Sequence, residues 1–378
     1  MIDSLVAKIT SYFPKRDKTC LKNILILSQC ILLRETINLN KLSSSVSLVT
    51  GKDQTRVSSN YKRLIRIFDR YSFSGLWIEL MNYVFLLLRL ECNYLLLDGT
   101  SWKRGEKWYH YLTLCIVYKG VAIPIYWEDL NKHGTSNFKE RRRLLKKAFS
   151  YFHLEGKILL ADREYIGTDW FRYLIDNKID FVIRLREKAY KAAINEASGK
   201  TYDQIRARVL RSKVYYKTVG KWFRLAEMNL QFIAIKNPKH DPKEPVIYLV
   251  SNLDLPGRKI AEMYPIRWKI EHCFKHLKSN GFNLEQINLK TRSRCKLLMA
   301  IMVFTYVLSI HEGLKEYQAV PEKEYPDGTC SKAVSVFRFG IDNLMRHLGS
   351  FIKFCNYIIS EIELTKTLYN SPKSINVQ

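Results

Sequence analysis

The chain has 378 residues, more than one hydrophobic core usually holds, since cores stop growing near ~250 to 300 residues, so two or three domains are expected. Apolar residues make up 47% of it, which excludes a disordered chain. Lys plus Arg number 62 against 36 Asp plus Glu, and a formal charge of +26 spread along the chain costs self-repulsion that a polyanionic partner would relieve, nucleic acid ahead of a membrane.

The longest apolar runs, 76–90 and 297–310, fall short of the ~20 residues a membrane span needs and read as buried helices. Eight scattered Cys without a C-x-x-C pair, and no basic-then-apolar leader, lead us to expect a reducing cytoplasm and no membrane partner.

Residues 1–90 read as helical, with apolar positions at three- and four-residue spacing through 21–33 and at Tyr61, Leu64, Ile65 and Phe68. Within them, 40–47, the pair Thr50-Gly51 and 53–70 suggest a helix, a turn and a second helix carrying Arg56, Lys62, Arg63, Arg66 and Arg70. That pattern suits a major groove, with a plain helical bundle as the alternative. We read 1–90 as a helical DNA-binding domain, with Arg56, Lys62 and Arg63 as candidate contacts.

From Asn93 the pattern changes. Residues 94–97 run into Asp98-Gly99-Thr100, and the β-rich stretches 108–118 and 121–127 follow around Lys119-Gly120, predicting a three-stranded meander. A helix over 137–152, a strand over 157–161, a short helix over 169–176 and a strand over 181–185 complete an α/β order: a mixed sheet flanked by helices, as in a ribonuclease-H-like core. Residues 187–255, with β-like runs at 214–219, 222–226, 230–235 and 246–250, read as a β-rich insertion domain. The chain then turns helical through 278, over 292–312 and over 333–362, so 91–186 and 256–365 are expected to form the catalytic core.

Asp98 ends one apolar run (LLLDGT) and Asp162 another (KILLADREY), which would place both carboxylates where a buried strand reaches its edge. Two-metal phosphoryl transfer needs hard oxygen ligands holding two divalent ions ~3.5 to 4 Å apart, and carboxylates supply them. A third lies in YPIRWKIEHCFKHLK. At 100° per residue Tyr264, Arg267, Glu271 and Lys278 fall within a ~60° sector, apart from Ile266, Ile270, Phe274 and Leu277. Pro265 fits the first residue of this helix or a kink in a longer one starting near Lys259.

The pattern Y-x2-R-x3-E-x6-K after LLLDGT and LLADREY resembles the DDE transposases of the insertion-sequence-four type, whose members carry that Y-R-E-K signature. The resemblance spans 94–278 by motif and implies a ribonuclease-H-like core, a helical N-terminal domain and a β-rich insertion before the catalytic Glu. It implies that Asp98, Asp162 and Glu271 bind Mg²⁺ or Mn²⁺, two ions per active site. It further implies that Arg267 and Lys278 contact phosphates near the cut end and that Tyr264 positions that strand. Cut-and-paste transposition through a hairpin intermediate, a homodimer in a synaptic complex with terminal inverted repeats and target DNA, and a bacterial, nucleoid-associated location are what it implies for function. A nuclease that cuts without rejoining, or a non-catalytic DNA-binding relative, are the alternatives.

Where relatives often carry a small residue, this chain has Glu164, which shares a face with Asp162 if the strand continues; we read it as an ion-pair partner of Arg163 and leave it out of the metal set. Arg163 itself joins the candidate DNA contacts. His272, Cys273 and His276 lack a fourth ligand in view, and no zinc site is expected. Trp222, with Tyr215, Tyr216 and Phe223 among Lys213, Lys217, Lys221 and Arg224, suits stacking on an unpaired base or burial in a core.

Overall fold

Two compact units make up the chain, one formed by residues 1–90 with 274–378 and one by residues 91–273. The computed structural model describes residues 2–10, 16–52, 54–88, 92–212, 219–237, 241–324 and 330–369.

Five helices come first: α1 (Ile2–Thr10), α2 (Lys18–Arg34), α3 (Leu39–Thr50), α4 (Val57–Tyr71) and α5 (Leu76–Leu88). Side chains start two of them. Asp17 accepts from the backbone N–H of Cys20 at the head of α2, and Asn38 accepts from those of Asn40 and Lys41 at the head of α3. A turn through Gly51 separates α3 from α4, as the sequence suggested, but α4 begins at Val57; position 53 lies outside the described residues.

The second unit is organised by a sheet. β1 (Tyr94–Arg104), β2 (Lys107–Tyr118) and β3 (Val121–Asp129) form the expected antiparallel meander. α6 (Phe138–Tyr151), started by a capping box between Asn137 and Glu140, returns the chain to β4 (Ile158–Ala161), which lies parallel to β1. α7 (Thr168–Asp176) then leads to β5 (Phe181–Leu185), parallel to β4. The order β3-β2-β1-β4-β5, flanked by helices, is the ribonuclease-H-like arrangement expected.

Residues 187–255, the expected β-rich insertion, are not β structure throughout. They open with two helices, α8 (Lys191–Ser198) and α9 (Tyr202–Arg211), followed by β6 (Val219–Leu225), β7 (Met228–Lys236) and β8 (Val246–Ser251). β8 pairs antiparallel with β5, β7 with β8 and β6 with β7, so the core sheet simply continues to eight strands. The physical reason is the outer edge of β5, whose unpaired backbone groups need a neighbour, and every residue of β8 is buried beside it. Of the expected strand at 214–219, all but residue 219 lies outside the described residues. α10 (Gly257–Met263), a 3-10 turn over Tyr264–Trp268 and α11 (Lys269–Leu277) follow.

α12 (Arg292–Glu316) is the central helix of the first unit, packed against α5, α2 and α13 (Val336–Leu344), with α14 (Phe351–Tyr369) after them and a short pair, β9 (Glu322–Glu324) and β10 (Cys330–Lys332), between. By length and composition this helix could cross a membrane, yet 89% of its apolar stretch is buried among its neighbours. A Cβ on Gly340 of α13 would stand 1.7 Å from the Ser309 carbonyl oxygen of α12, so only glycine lets the two backbones touch. Near the end of α12, Glu312 takes Lys315 at 2.8 Å and Arg346 at 2.7 Å, while Glu361 of α14 takes Lys315 at 2.5 Å and His311 at 2.7 Å; both acids are buried.

Candidate active site

The last rungs of the two parallel ladders are Leu97 with Ala161 and Ala161 with Ile183. The next residue on each strand is Asp98, Asp162 and Arg184. Two carboxylates and a cation thus stand in a row across three neighbouring strands, ~4.8 Å apart by strand spacing. Asp162 ends its strand as expected, whereas Asp98 does not: β1 runs on to Arg104, paired with β2 alone. The Gly99 backbone N–H donates to Asp98 Oδ1 at 2.8 Å, and a Cβ there would lie 2.8 Å from Nε2 of His110. This explains the glycine of the LLLDGT segment.

The third carboxylate arrives on a helical stretch running from Gly257 to Leu277. Pro265 sits in the first turn of a tight 3-10 segment, Tyr264–Trp268, that joins α10 to α11, so it opens this segment within a longer helical stretch. The polar face of this stretch is turned inward. Tyr264 is fully buried and its hydroxyl donates to Asp162 Oδ1 at 3.2 Å. The Arg267 side chain is 4% exposed; its Nη2 donates to Glu271 Oε1 at 2.6 Å and its Nη1 lies 3.5 Å from Asp98 Oδ2. One guanidinium and one phenol therefore tie all three acids together.

Burial pushes the Asp98 carboxyl up to about 7, against the pull of Arg267 and the Gly99 N–H and with Glu164 and Asp162 adding to the rise. Burial pulls the other way on Arg267, but Tyr264, Asp162, Asp98 and Glu271 together hold its guanidinium above its usual value. Asp98 is thus a partly buried acid whose charge the protein compensates incompletely, and hard oxygen donors of this kind suit a divalent cation. Among the described residues, no three His, Cys, Asp or Glu side chains stand close enough to hold an ion as they are. Arg267 lies between Asp98 and Glu271 and faces both.

Residues 93–308 match the transposase DDE domain family. The chain belongs to that family. It is therefore a DDE transposase, an enzyme of DNA phosphoryl transfer that depends on divalent cations. The chain is also similar to the cryo-EM structure of a piggyBac transposase synaptic complex with hairpin DNA, at 13% identity and a TM-score of 0.49, covering 96% of this chain and 79% of that one. No curated protein sequence matches it.

The transposase places its remaining candidate residues less uniformly. Arg163 pairs with Glu244 rather than with Glu164, and β4 ends too early to put Glu164 on the strand face of Asp162. Glu164 sits instead in a loop braced by buried Arg141, which donates to its carbonyl at 2.8 Å and to that of Ser136 at 2.6 Å. Lys278 belongs to the first unit and pairs with Glu285 at 3.0 Å. Trp222 is exposed on edge strand β6 and Phe223 is buried; Lys213, Tyr215, Tyr216 and Lys217 lie outside the described residues. Arg56, just before α4, and Lys62 within it face solvent, while Arg63 turns inward and donates to Asn23 Oδ1 at 3.0 Å. Arg184 and Glu244 had no signal in the sequence.

Proposed function

We propose that this DDE transposase is of the insertion-sequence-four type, performing cut-and-paste transposition, and that Asp98, Asp162 and Glu271 are its metal-binding acids. The observation that carries the reading is the convergence of the three on Arg267 and Tyr264, with the two aspartates in adjacent register on neighbouring strands. Two Mg²⁺ or Mn²⁺ ions held there would activate an attacking hydroxyl and stabilise the leaving oxygen.

The protein's own part is to hold the acids in place and to receive DNA. Tyr264 fixes the orientation of Asp162 through its hydroxyl, and Arg267 keeps Asp98 and Glu271 from repelling one another. Released from them, Arg267 would contact a phosphate beside the cut, and the resemblance gives Lys278 a like role. The exposed cations Arg56, at the head of α4, and Lys62, on it, support a DNA-binding role for residues 1–90, and Trp222 offers a ring for an unpaired base. Terminal inverted repeats, target DNA, a homodimeric synaptic complex, a hairpin intermediate and action in the bacterial cytoplasm complete the proposal.

The test is Glu271→Gln, assayed on duplexes carrying the element's end. Binding is expected to persist while Mg²⁺-dependent cleavage is abolished, because the change removes a ligand oxygen's charge and keeps its shape. Full cleavage by the variant would sink the assignment. Cleavage by the unsubstituted protein without any joined product would favour a nuclease.

A further inference from the structure

We infer that Arg163 and Arg184 form a seat for a DNA phosphodiester beside Asp162, and that the Glu244 carboxylate occupies this seat until DNA displaces it. The inference rests on the reading that the chain acts on DNA.

Glu244 is the last residue of a turn in the connection between β7 and β8, remote in sequence from both cations. Its carboxylate is gripped from two sides: Arg184 Nη2 donates to Oε2 at 2.7 Å and Arg163 Nη1 to Oε1. Burial would push this carboxyl up, but the two guanidiniums hold it below the ordinary carboxylate range. Both arginines adjoin Asp162. Arg163 follows Asp162 in the chain, and Arg184 is next to Asp162 in register, its Nη1 3.9 Å from Oδ1. A carboxylate and a phosphodiester each present two anionic oxygens to a guanidinium, so a site that holds one holds the other.

The protein is built so that the carboxylate can leave without the loop moving. The Glu244 backbone is anchored, its N–H donating to the Asp241 carbonyl at 3.2 Å and its carbonyl accepting from Asn237 Nδ2 at 2.8 Å. The side chain, 35% exposed, needs only rotation to reach water. Arg184, 13% exposed on β5, stays fixed. In a chain with 62 Lys and Arg and 36 acids, this acid closes an anion site next to the catalytic carboxylates until a stronger polyanion arrives.

The experiment measures binding of a fluorescein-labelled duplex of arbitrary sequence to the full chain by anisotropy, without divalent ions and at fixed KCl. Glu244→Gln is expected to tighten binding about fivefold, and Arg184→Gln to weaken it. In the Arg184→Gln background, Glu244→Gln should no longer matter. Arg163→Gln, a half-exposed position, repeats the cycle should Arg184→Gln fail to fold. Binding by Glu244→Gln that is unchanged or weaker overturns the inference, and so does tightening that persists in both arginine backgrounds, since that is a mere charge effect. If the unsubstituted chain does not bind the duplex at all, the DNA reading fails and this inference with it. If it binds and the Glu244→Gln shift is missing, the inference fails alone.

Discussion

Arg267 donates to Glu271 at 2.6 Å across one helical turn, so the stretch that delivers the third acid also delivers its counterion. The same cation also faces Asp98. Replacing Arg267 by Ala should leave two partly buried carboxylates facing each other and cost about 3 kcal/mol, the scale for removing one member of a buried ion pair. Urea unfolding in the absence of divalent ions measures this. A variant as stable as the parent would mean that Arg267 does not hold the acids.

Divalent cations should stabilise the fold. Binding to the folded state alone adds about 2.7 kcal/mol at a hundredfold excess over Kd. Calorimetric melting is expected to show a Tm raised by Mg²⁺ in the parent and in Glu285→Gln, and no rise in Asp98→Asn or Asp162→Asn. An equal rise in all four would place the ion elsewhere.

The buried acids of the first unit predict acid lability. Burial pushes Glu312 and Glu361 up, but hydrogen bonds from Lys315 and Arg346 to the first, and from His311 and Lys315 to the second, bring both below the ordinary value of 4.5. Depressed carboxyls contribute stability that is fully present above 4.5 and lost as pH falls through the lowered values. Stability should therefore drop below about pH 4.5, and Arg346→Ala should flatten that drop. Chemical unfolding at a series of pH values tests it; an identical pH profile for the variant would refute the assignment.

Gly340→Ala should be among the most damaging single changes outside the active site. The added methyl would meet a backbone carbonyl at 1.7 Å, which cannot rotate away as a side chain could. Overpacking typically costs about 1 to 3 kcal/mol, and this contact belongs at or beyond the upper end. Thermal unfolding reads it directly, and a Tm within a degree of the parent would show that α12 and α13 separate freely.

Much of this site can be read from the sequence because its signals are local. Asp98 and Asp162 each follow an apolar run long enough for a buried strand, and Glu271 shares a face with Tyr264 and Arg267. The direction of that face is not local: it turns inward because the partners of Arg267 and Tyr264, Asp98 and Asp162, lie more than a hundred residues earlier. Arg184 and Glu244 escape for the same reason, since their pairing exists only once β8 has returned to β5. The helices α8 and α9 precede the β-like runs, where the sequence reading names no element, although the Thr201–Gln204 capping box is a helix-start signal.

The position of β8 between β5 and β7 has a consequence for synthesis. As the chain leaves the ribosome, the edge of β5, with Phe181, Val182 and Ile183, has no partner until residues 246–251 have emerged. Exposed strand edges of this kind recruit other chains. Products ending before Val246 would keep that edge open to other chains.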